Sequence, residues 1–145
     1  MCMMNNTFEY RFSKIELEQF ATFEENFQCE KEISFQTNTS FSFDKNNMIF
    51  ISRIGVCATQ MEKPILKAEQ VCYFELSSET VNSFLKDKKY IFPTNVLIQF
   101  ASLNYGTLRG AIHLKTLGTI LNKFILPPLY FNTFITSPFQ VDVNE

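Results

Sequence analysis

The sequence has few of the residues on which most enzyme sites depend. It contains a single histidine, His113, only 4 glycines and no tryptophan. A catalytic triad or a multi-histidine metal site would have to use His113, and no acidic residue lies nearby in the sequence to orient it. Gly-x-Ser-x-Gly, Walker and Gly-x-Gly-x-x-Gly motifs are missing, and so few glycines argue against a phosphate-binding loop. We therefore expect no catalytic residue, no cofactor and no metal.

The sequence also lacks the motifs of export, membrane insertion and thiol chemistry. Its four cysteines, Cys2, Cys29, Cys57 and Cys72, form no Cys-x-x-Cys pair and have no close Cys/His spacing. No basic region followed by an apolar stretch opens the chain, and no apolar run is long enough to span a membrane. The sequence predicts a cytoplasmic protein with reduced thiols, in which Cys57 and Cys72 are small core residues.

Charged residues are scarce and aromatic residues are abundant. Charged side chains make up 19% of the 145 residues, hydrophobic ones 46% and aromatic ones 15%, including 17 phenylalanines. This composition is typical of one folded domain rather than a disordered chain. The phenylalanine content exceeds the needs of one small core, so we expect some rings to face a partner. A net charge of -2 argues against nucleic-acid binding.

Acidic and basic residues are unevenly distributed along the chain. Residues 1–80 carry 7 basic and 12 acidic side chains, whereas residues 81–145 carry 6 basic and 3 acidic ones. No acidic residue lies between Lys88 and Val141. The two halves therefore attract each other or face different partners; scattered, solvated charge is the alternative interpretation.

The first half of the chain has the alternating pattern of β-strands. Ile15 and Leu17 are out of phase with the residues before them, which predicts a bulge near Ser13. Consecutive strands with short links, over about 7–76, predict a four-stranded antiparallel meander with one buried face. The alternating segments are 8–12, 33–43, 48–60 and 65–76.

The second half predicts one long helix of about 94–115, which Thr94 or Asn95 can cap. Its apolar residues lie on more than one side, so a single sheet cannot cover them all. Another copy of the protein is the natural second partner. Gly106 and Gly110 lie one turn apart and indicate either the close approach of another backbone or a kink. The residues expected at the interface between copies are Leu97, Ala101, Leu108, Ala111 and Ile112.

An apolar loop of about 117–131 and a short tail, 132–145, complete the chain. Pro127 and Pro128 exclude a helix from the loop. The order of elements, with Ile91-Phe92-Pro93, Thr107-Leu-Arg-Gly110 and Ile125-Leu-Pro-Pro-Leu-Tyr-Phe131, resembles the SecB family of export chaperones. The strand pattern extends this resemblance across most of the chain, as a single domain spanning 1–145.

The resemblance implies an α+β fold in which sheets pair into dimers and the long helices pack between two dimers. It also implies an ATP-independent chaperone whose apolar grooves bind extended segments of unfolded or preprotein clients. Client contacts would then include Ile33 and Phe35 of the second strand and Phe131 after the two prolines. The alternative interpretation is that these three side chains are ordinary core.

The sequence departs from the family where SecB proteins engage the motor ATPase SecA. Pro138 interrupts the tail, which has only Asp142 and Glu145 as acids, and Lys67 stands where the family places an acidic docking residue. Tyr130 replaces the usual asparagine of the loop. Engagement of SecA therefore stays open. The alternatives are a chaperone dedicated to one client such as a labile antitoxin, an assembly module without chaperone activity, and a small-ligand binder using the aromatic groove.

Overall fold

The fold consists of two antiparallel sheets and one long helix. The computed structural model describes residues 9–144, so Cys2 and the start of the predicted first strand lie outside the described residues. The predicted α+β class, a four-stranded antiparallel sheet followed by a long helix, is confirmed. In chain order the elements are β1 (Tyr10–Thr22), β2 (Ser34–Asp44), β3 (Ile49–Gln60), β4 (Lys63–Leu76), α1 (Ser78–Ser83), β5 (Leu85–Lys86), β6 (Lys89–Phe92), α2 (Thr94–Lys115) and β7 (Phe139–Asp142).

The strand order of the large sheet differs from the predicted meander. The order is β1-β4-β3-β2, so β2, β3 and β4 form consecutive hairpins while β1 crosses over to pair with β4, as in a Greek key. The connection from β1 to β2 passes over the turn between β3 and β4. The buried side chain of Gln60 holds it there, accepting from the Gln28 amide and donating to the carbonyls of Gln28 and Lys31 at 2.9 to 3.0 Å.

The predicted bulge in β1 is confirmed. The pairing of β1 with β4 shifts register between Phe12 and Lys14, and again between Leu17 and Gln19. The first shift places Ile15 opposite Cys72, on the helix-facing side of the sheet, because one extra residue reverses the side on which later side chains lie. Of the two cysteines predicted to be core, Cys72 is buried, whereas Cys57 is only half-buried.

A second sheet, with the order β5-β6-β7, was not expected from the sequence. Asp87 and Lys88 form the turn between β5 and β6, with φ values of 52° and 64°. These left-handed conformations match the twist of a two-residue hairpin. The strands are too short for an alternating pattern to be recognised, and β7 comes from the far end of the chain.

The helix α2 occupies the predicted range and contacts β3 and β4. Its first turn is capped by no side chain: the residue before the helix is Pro93, so neither Thr94 nor Asn95 has the predicted capping role. Three side chains are buried in the helix–sheet interface although they are polar, namely Ser52, Gln70 and Asn104.

These three residues form one hydrogen-bonded network. The amide of Asn104 donates to the Ser52 carbonyl at 2.9 Å and to the Gln70 carbonyl at 3.3 Å. The amide of Gln70 donates to the Asn104 side chain at 3.0 Å and to the Thr107 hydroxyl at 2.7 Å. Buried polar groups are costly unless they are paired, so this network favours one position of the helix over all others.

Most of the phenylalanine excess lies inside the molecule, in an aromatic cluster beneath the start of α2. Phe74 stacks on Phe100 with 4.2 Å between ring centroids, and Phe100 stacks on Phe50 at 5.0 Å. Further ring contacts join both sheets. The cluster comprises Tyr10, Phe12, Phe41, Phe43, Phe50, Phe74, Phe84, Tyr90, Phe92, Phe100 and Phe139.

The buried network gives a prediction about stability. Replacing Asn104 by Ala leaves the Ser52 hydroxyl and two carbonyls without their donor, so we expect a loss of about 1–3 kcal/mol in the free energy of unfolding. Asn95, exposed on the same helix, is the control, and Asn95→Ala should change stability by no more than about 0.5 kcal/mol. Urea denaturation measures both values. Equal losses would contradict a special role for the network.

Candidate functional site

The three residues predicted to contact clients differ in how far they are buried. Ile33 and Phe35 lie at the start of β2 and are half-buried, and the Phe35 ring stacks on Phe124 at 5.1 Å. Phe131 is only 2% exposed and packs between the rings of Tyr105 and Phe134. Its burial means that it contributes to the core of this chain. A client contact through any of the three stays a prediction.

Two side chains of α2 hold the apolar loop in an extended conformation. The guanidinium of Arg109 donates through Nε to the Leu126 carbonyl at 3.0 Å, and the Tyr105 hydroxyl donates to the Pro127 carbonyl at 2.5 Å. Burial raises the pKa of Tyr105, so its hydroxyl remains a proton donor at neutral pH. We call these two residues, Tyr105 and Arg109, the loop clamp. In the sequence, Arg109 stands out only as part of the Thr107-Leu-Arg-Gly110 motif.

The clamped loop alternates between buried and exposed side chains. Phe124 and Leu126 are buried, whereas Ile125 is 66% exposed, and Tyr130 further along is 69% exposed. Phe134 follows at 45%. We call Ile125, Tyr130 and Phe134 the loop surface. The sequence carries no signal for this exposure, because Phe124, Ile125 and Leu126 are all apolar and no polar residue marks the exposed side.

The free edge of β2 lies beside the start of this loop, as the contact between Phe35 and Phe124 shows. An edge strand carries main-chain groups that pair with no neighbouring strand. On the helix-facing side of β2, Thr37 and Thr39 are half-buried. The Thr39 hydroxyl is buried without a hydrogen-bond partner in the described part of the chain. The site therefore combines exposed apolar side chains with unsatisfied hydrogen-bonding groups.

The residues predicted to form an interface between copies lie mostly inside this chain. Leu97, Ala101, Leu108 and Ile112 are at most 2% exposed, and Ala111 is half-buried. The sheet and loop cover them, so their apolar character is explained without a second copy.

The solvent-facing side of α2 has small and polar residues. A Cβ added at Gly106 or Gly110 would meet no heavy atom within 4 Å outside the local backbone of the helix, as far as residues 9–144 are concerned. No other part of the described chain therefore approaches these glycines closely. The interpretation that the two glycines mark a kink loses support, because α2 continues without a break to Lys115.

His113 is exposed, and its carbonyl accepts from the Asn122 side chain at 2.9 Å. Within residues 9–144, no group of three His, Cys, Asp or Glu side chains is placed to hold a metal ion. Over the same range, no helix is both long and apolar enough to cross a membrane. Arg53 forms ion pairs with Glu18 and Glu69 on the sheet face opposite the helix. These are ordinary surface ion pairs.

Comparison with known proteins supports the fold. No family model and no curated protein matches the chain. Among solved structures, it is similar to the SecB-like chaperone Rv1957 of Mycobacterium tuberculosis, determined in complex with a ChAD peptide from the Rv1956 HigA1 antitoxin. The TM-score is 0.52 and the sequence identity 12%, with 83% of this chain and 90% of that chain covered. The resemblance to SecB proteins is thus supported at the level of the fold.

The cysteines give a prediction about pH and reactivity. Burial raises the pKa of Cys72 to about 11, so at pH 8 its thiol stays protonated and should resist alkylation, whereas exposed Cys29 should react readily. Between pH 9 and 11 the unfolded chain loses the Cys72 proton and the folded chain keeps it, so the free energy of unfolding should fall as pH rises. Mass spectrometry of iodoacetamide-treated protein checks the first point. Fast labelling of Cys72 without unfolding would contradict it.

Proposed function

We propose that this chain is an ATP-independent chaperone that binds apolar segments of unfolded proteins in an extended form. The observation that carries the proposal is the loop surface, whose apolar side chains are exposed on a segment that the loop clamp holds rigidly beside the edge of β2. The similarity of the fold to that of a SecB-like chaperone with a bound peptide supports it. No nucleotide-binding motif is present in the sequence, which fits holding without ATP.

The physical basis is apolar contact together with main-chain hydrogen bonds. Burying an exposed aromatic or branched side chain contributes about 1.5–3 kcal/mol. Because the loop clamp fixes the main chain of the loop in advance, the loop itself loses little conformational entropy when a client binds. The main-chain groups at the free edge of β2 can pair with the client main chain whatever its sequence. Such a site suits many apolar segments.

Ile33 and Phe35 belong to the same proposed site. Phe35 is half-buried, and its stacking on Phe124 joins the start of β2 to the start of the loop segment. In this proposal Phe131 has a supporting role, because its buried ring packs against Phe134 of the loop surface from below. The side chains that touch the client are then Ile33, Phe35, Ile125, Tyr130 and Phe134.

Of the two chaperone versions, we favour a dedicated client such as a labile antitoxin over general export. The peptide in the similar Rv1957 structure comes from an antitoxin, and that observation supports this version. Lys67, exposed on β4, takes the place of the acidic docking residue of the family, which argues against SecA engagement. A toxin–antitoxin gene pair beside this gene would support the dedicated version, and its absence would favour export.

Client binding can be tested by removing the loop surface. The double variant Ile125→Ser, Tyr130→Ser should bind an unfolded model client about 5- to 30-fold more weakly and keep its thermal stability, because both side chains are exposed. Met61→Ser is the matched control, since Met61 is 62% exposed on a different turn. Aggregation suppression and fluorescence anisotropy are the measurements. The proposal fails if the control loses as much affinity as the double variant.

A companion variant separates core from contact. Phe131→Ala should cost about 3–5 kcal/mol of stability, because it leaves a cavity beside Tyr105, and the fraction that remains folded should still protect the client. Loss of client binding in a fully stable Phe131→Ala protein would instead assign Phe131 to the contact surface.

We also propose that the protein forms a homodimer or a dimer of dimers through the open side of α2. Two apolar side chains of β1 on the helix-facing side, Phe12 and Ile15, are 39% and 47% exposed. On α2, the surface at Gly106 and Gly110 is open, which leaves room for the backbone of a second copy beside these two glycines. Covering this surface would bury the exposed parts of Phe12 and Ile15.

The assembly can be tested with a charge placed at the open side of the helix. Gly106→Glu favours the helix but puts an unpaired carboxylate into the proposed contact, so this contact should open and the folded protein should sediment at half the mass of the wild-type assembly. Asn82→Glu, at an exposed position of α1, should leave the assembly intact. Wild-type protein sedimenting only at 16.9 kDa at micromolar concentration would rule out the assembly.

A further inference from the structure

The C-terminal strand β7 is bound to the rest of the chain almost entirely through its main chain. Its residues 139–142 pair with 92–89 of β6, and beyond the strand the Val143 amide donates to the Lys88 carbonyl at 3.0 Å. In the described part of the chain, no side chain of β7 makes a hydrogen bond or an ion pair. Main-chain pairing of this kind does not depend on which residues the strand contains.

The side chain of Lys45 makes a second contact that does not depend on which residues β7 contains. Its ammonium group donates to the main-chain carbonyls of Asp142 at 2.9 Å and Val143 at 2.8 Å. Lys45 is half-buried at the start of the β2–β3 turn, where a charged donor strengthens a hydrogen bond to a neutral carbonyl. Any extended segment placed along β6 would present two carbonyls to the same ammonium group.

Only one side chain of β7 enters the aromatic cluster. The Phe139 ring lies 6.0 Å from Phe50, 6.2 Å from Phe92 and 6.3 Å from Phe41, measured between centroids. Val141 points the same way by strand alternation and is half-buried, while Gln140 is exposed. The side-chain requirement of the site is therefore an aromatic residue followed two positions later by an aliphatic one.

The link to β7 is exposed. Residues 136–138, Thr-Ser-Pro, lie on the surface between the buried Ile135 and the start of the strand. From these observations we infer that the edge of β6, with Lys45 and the rings of Phe41, Phe50 and Phe92, is a second peptide-binding site. Its ligand is an extended client segment with an aromatic-x-aliphatic pattern, and β7 is its resident occupant. The inference rests on the proposed chaperone function.

Because β7 is tethered beside this site, a client must compete with it in order to bind there. A segment on a short tether has an effective concentration in the millimolar range, so free peptides bind weakly while β7 is in place. A client that also binds the loop surface has two attachments and can displace β7, whereas a segment that matches only the β6 site binds weakly. The strand thereby raises the selectivity of the chaperone.

The test weakens β7 and offers the same strand in trans. Phe139→Ala removes the ring, and a fluorescein-labelled peptide of residues 136–144, Thr-Ser-Pro-Phe-Gln-Val-Asp-Val-Asn, is the probe in anisotropy measurements. We expect the variant to bind the probe at least about tenfold more tightly than wild type. Gln140→Ala, which alters only an exposed side chain of the same strand, should bind like wild type.

Two further changes test the hydrogen bonds of Lys45 and the ring of Phe139. Adding Lys45→Met to Phe139→Ala should weaken probe binding by about tenfold or more, because two charge-assisted hydrogen bonds are lost. A probe with Ser in place of its Phe should not bind. Equal binding of the probe by wild type and Phe139→Ala, or no effect of Lys45→Met, would overturn the inference.

If Phe139→Ala does not fold, a protease site within 136–138 releases β7 as a separate piece, and exchange with the labelled probe replaces the affinity measurement. Probe-dependent dissociation of wild-type dimers would assign the site to β7 of a second copy and overturn the client assignment. Aggregation suppression by wild type is read separately. If wild type does not suppress aggregation although the probe binds, the chaperone proposal fails. The assignment of this site to clients then fails with it.

Discussion

Two buried amides, those of Gln70 and Asn104, determine where the helix lies on the sheet. Their hydrogen bonds to each other and to Ser52 are made away from water, so a helix that slid or rotated would leave several groups unsatisfied. Tyr105 follows Asn104 directly, and Arg109 lies about one turn beyond. The network thus sets the position of the loop clamp, and through it the path of the loop that carries the exposed apolar side chains.

The aromatic residues are divided between two tasks in unequal amounts. One cluster of rings joins the two sheets and the start of α2. Among the exposed aromatic side chains, Phe12 belongs to this cluster, whereas Tyr130 and Phe134 lie outside it. That the phenylalanine excess serves recognition stays a prediction. The cluster compensates for a core that would be small for two sheets.

Local patterns in the sequence predicted the elements but not their long-range partners. The strands, the bulge near Ser13 and the extent of α2 follow from apolar periodicity over neighbouring residues. The pairing of β1 with β4, the second sheet and the burial of Phe131 depend on residues far apart in the chain, which no periodicity encodes. The amide network had a visible signal, because Ser52 and Gln70 each interrupt the apolar phase of a strand. Exposed Ile125 had none, because it stands between the apolar residues Phe124 and Leu126.

The crossover of β1 has a consequence for how the chain folds during synthesis. The first strand leaves the ribosome early, yet its partner β4 is made only after β2 and β3, and β1 lies on the far side of β4 from both. Until then its apolar side chains have no neighbour, while the β2–β3–β4 hairpins close locally and quickly. The N-terminal strand is thus the last part of the large sheet to dock, and the nascent chain passes through a stage with an open β4 edge. A protein of this topology needs, for a short time, the kind of protection that it is proposed to give.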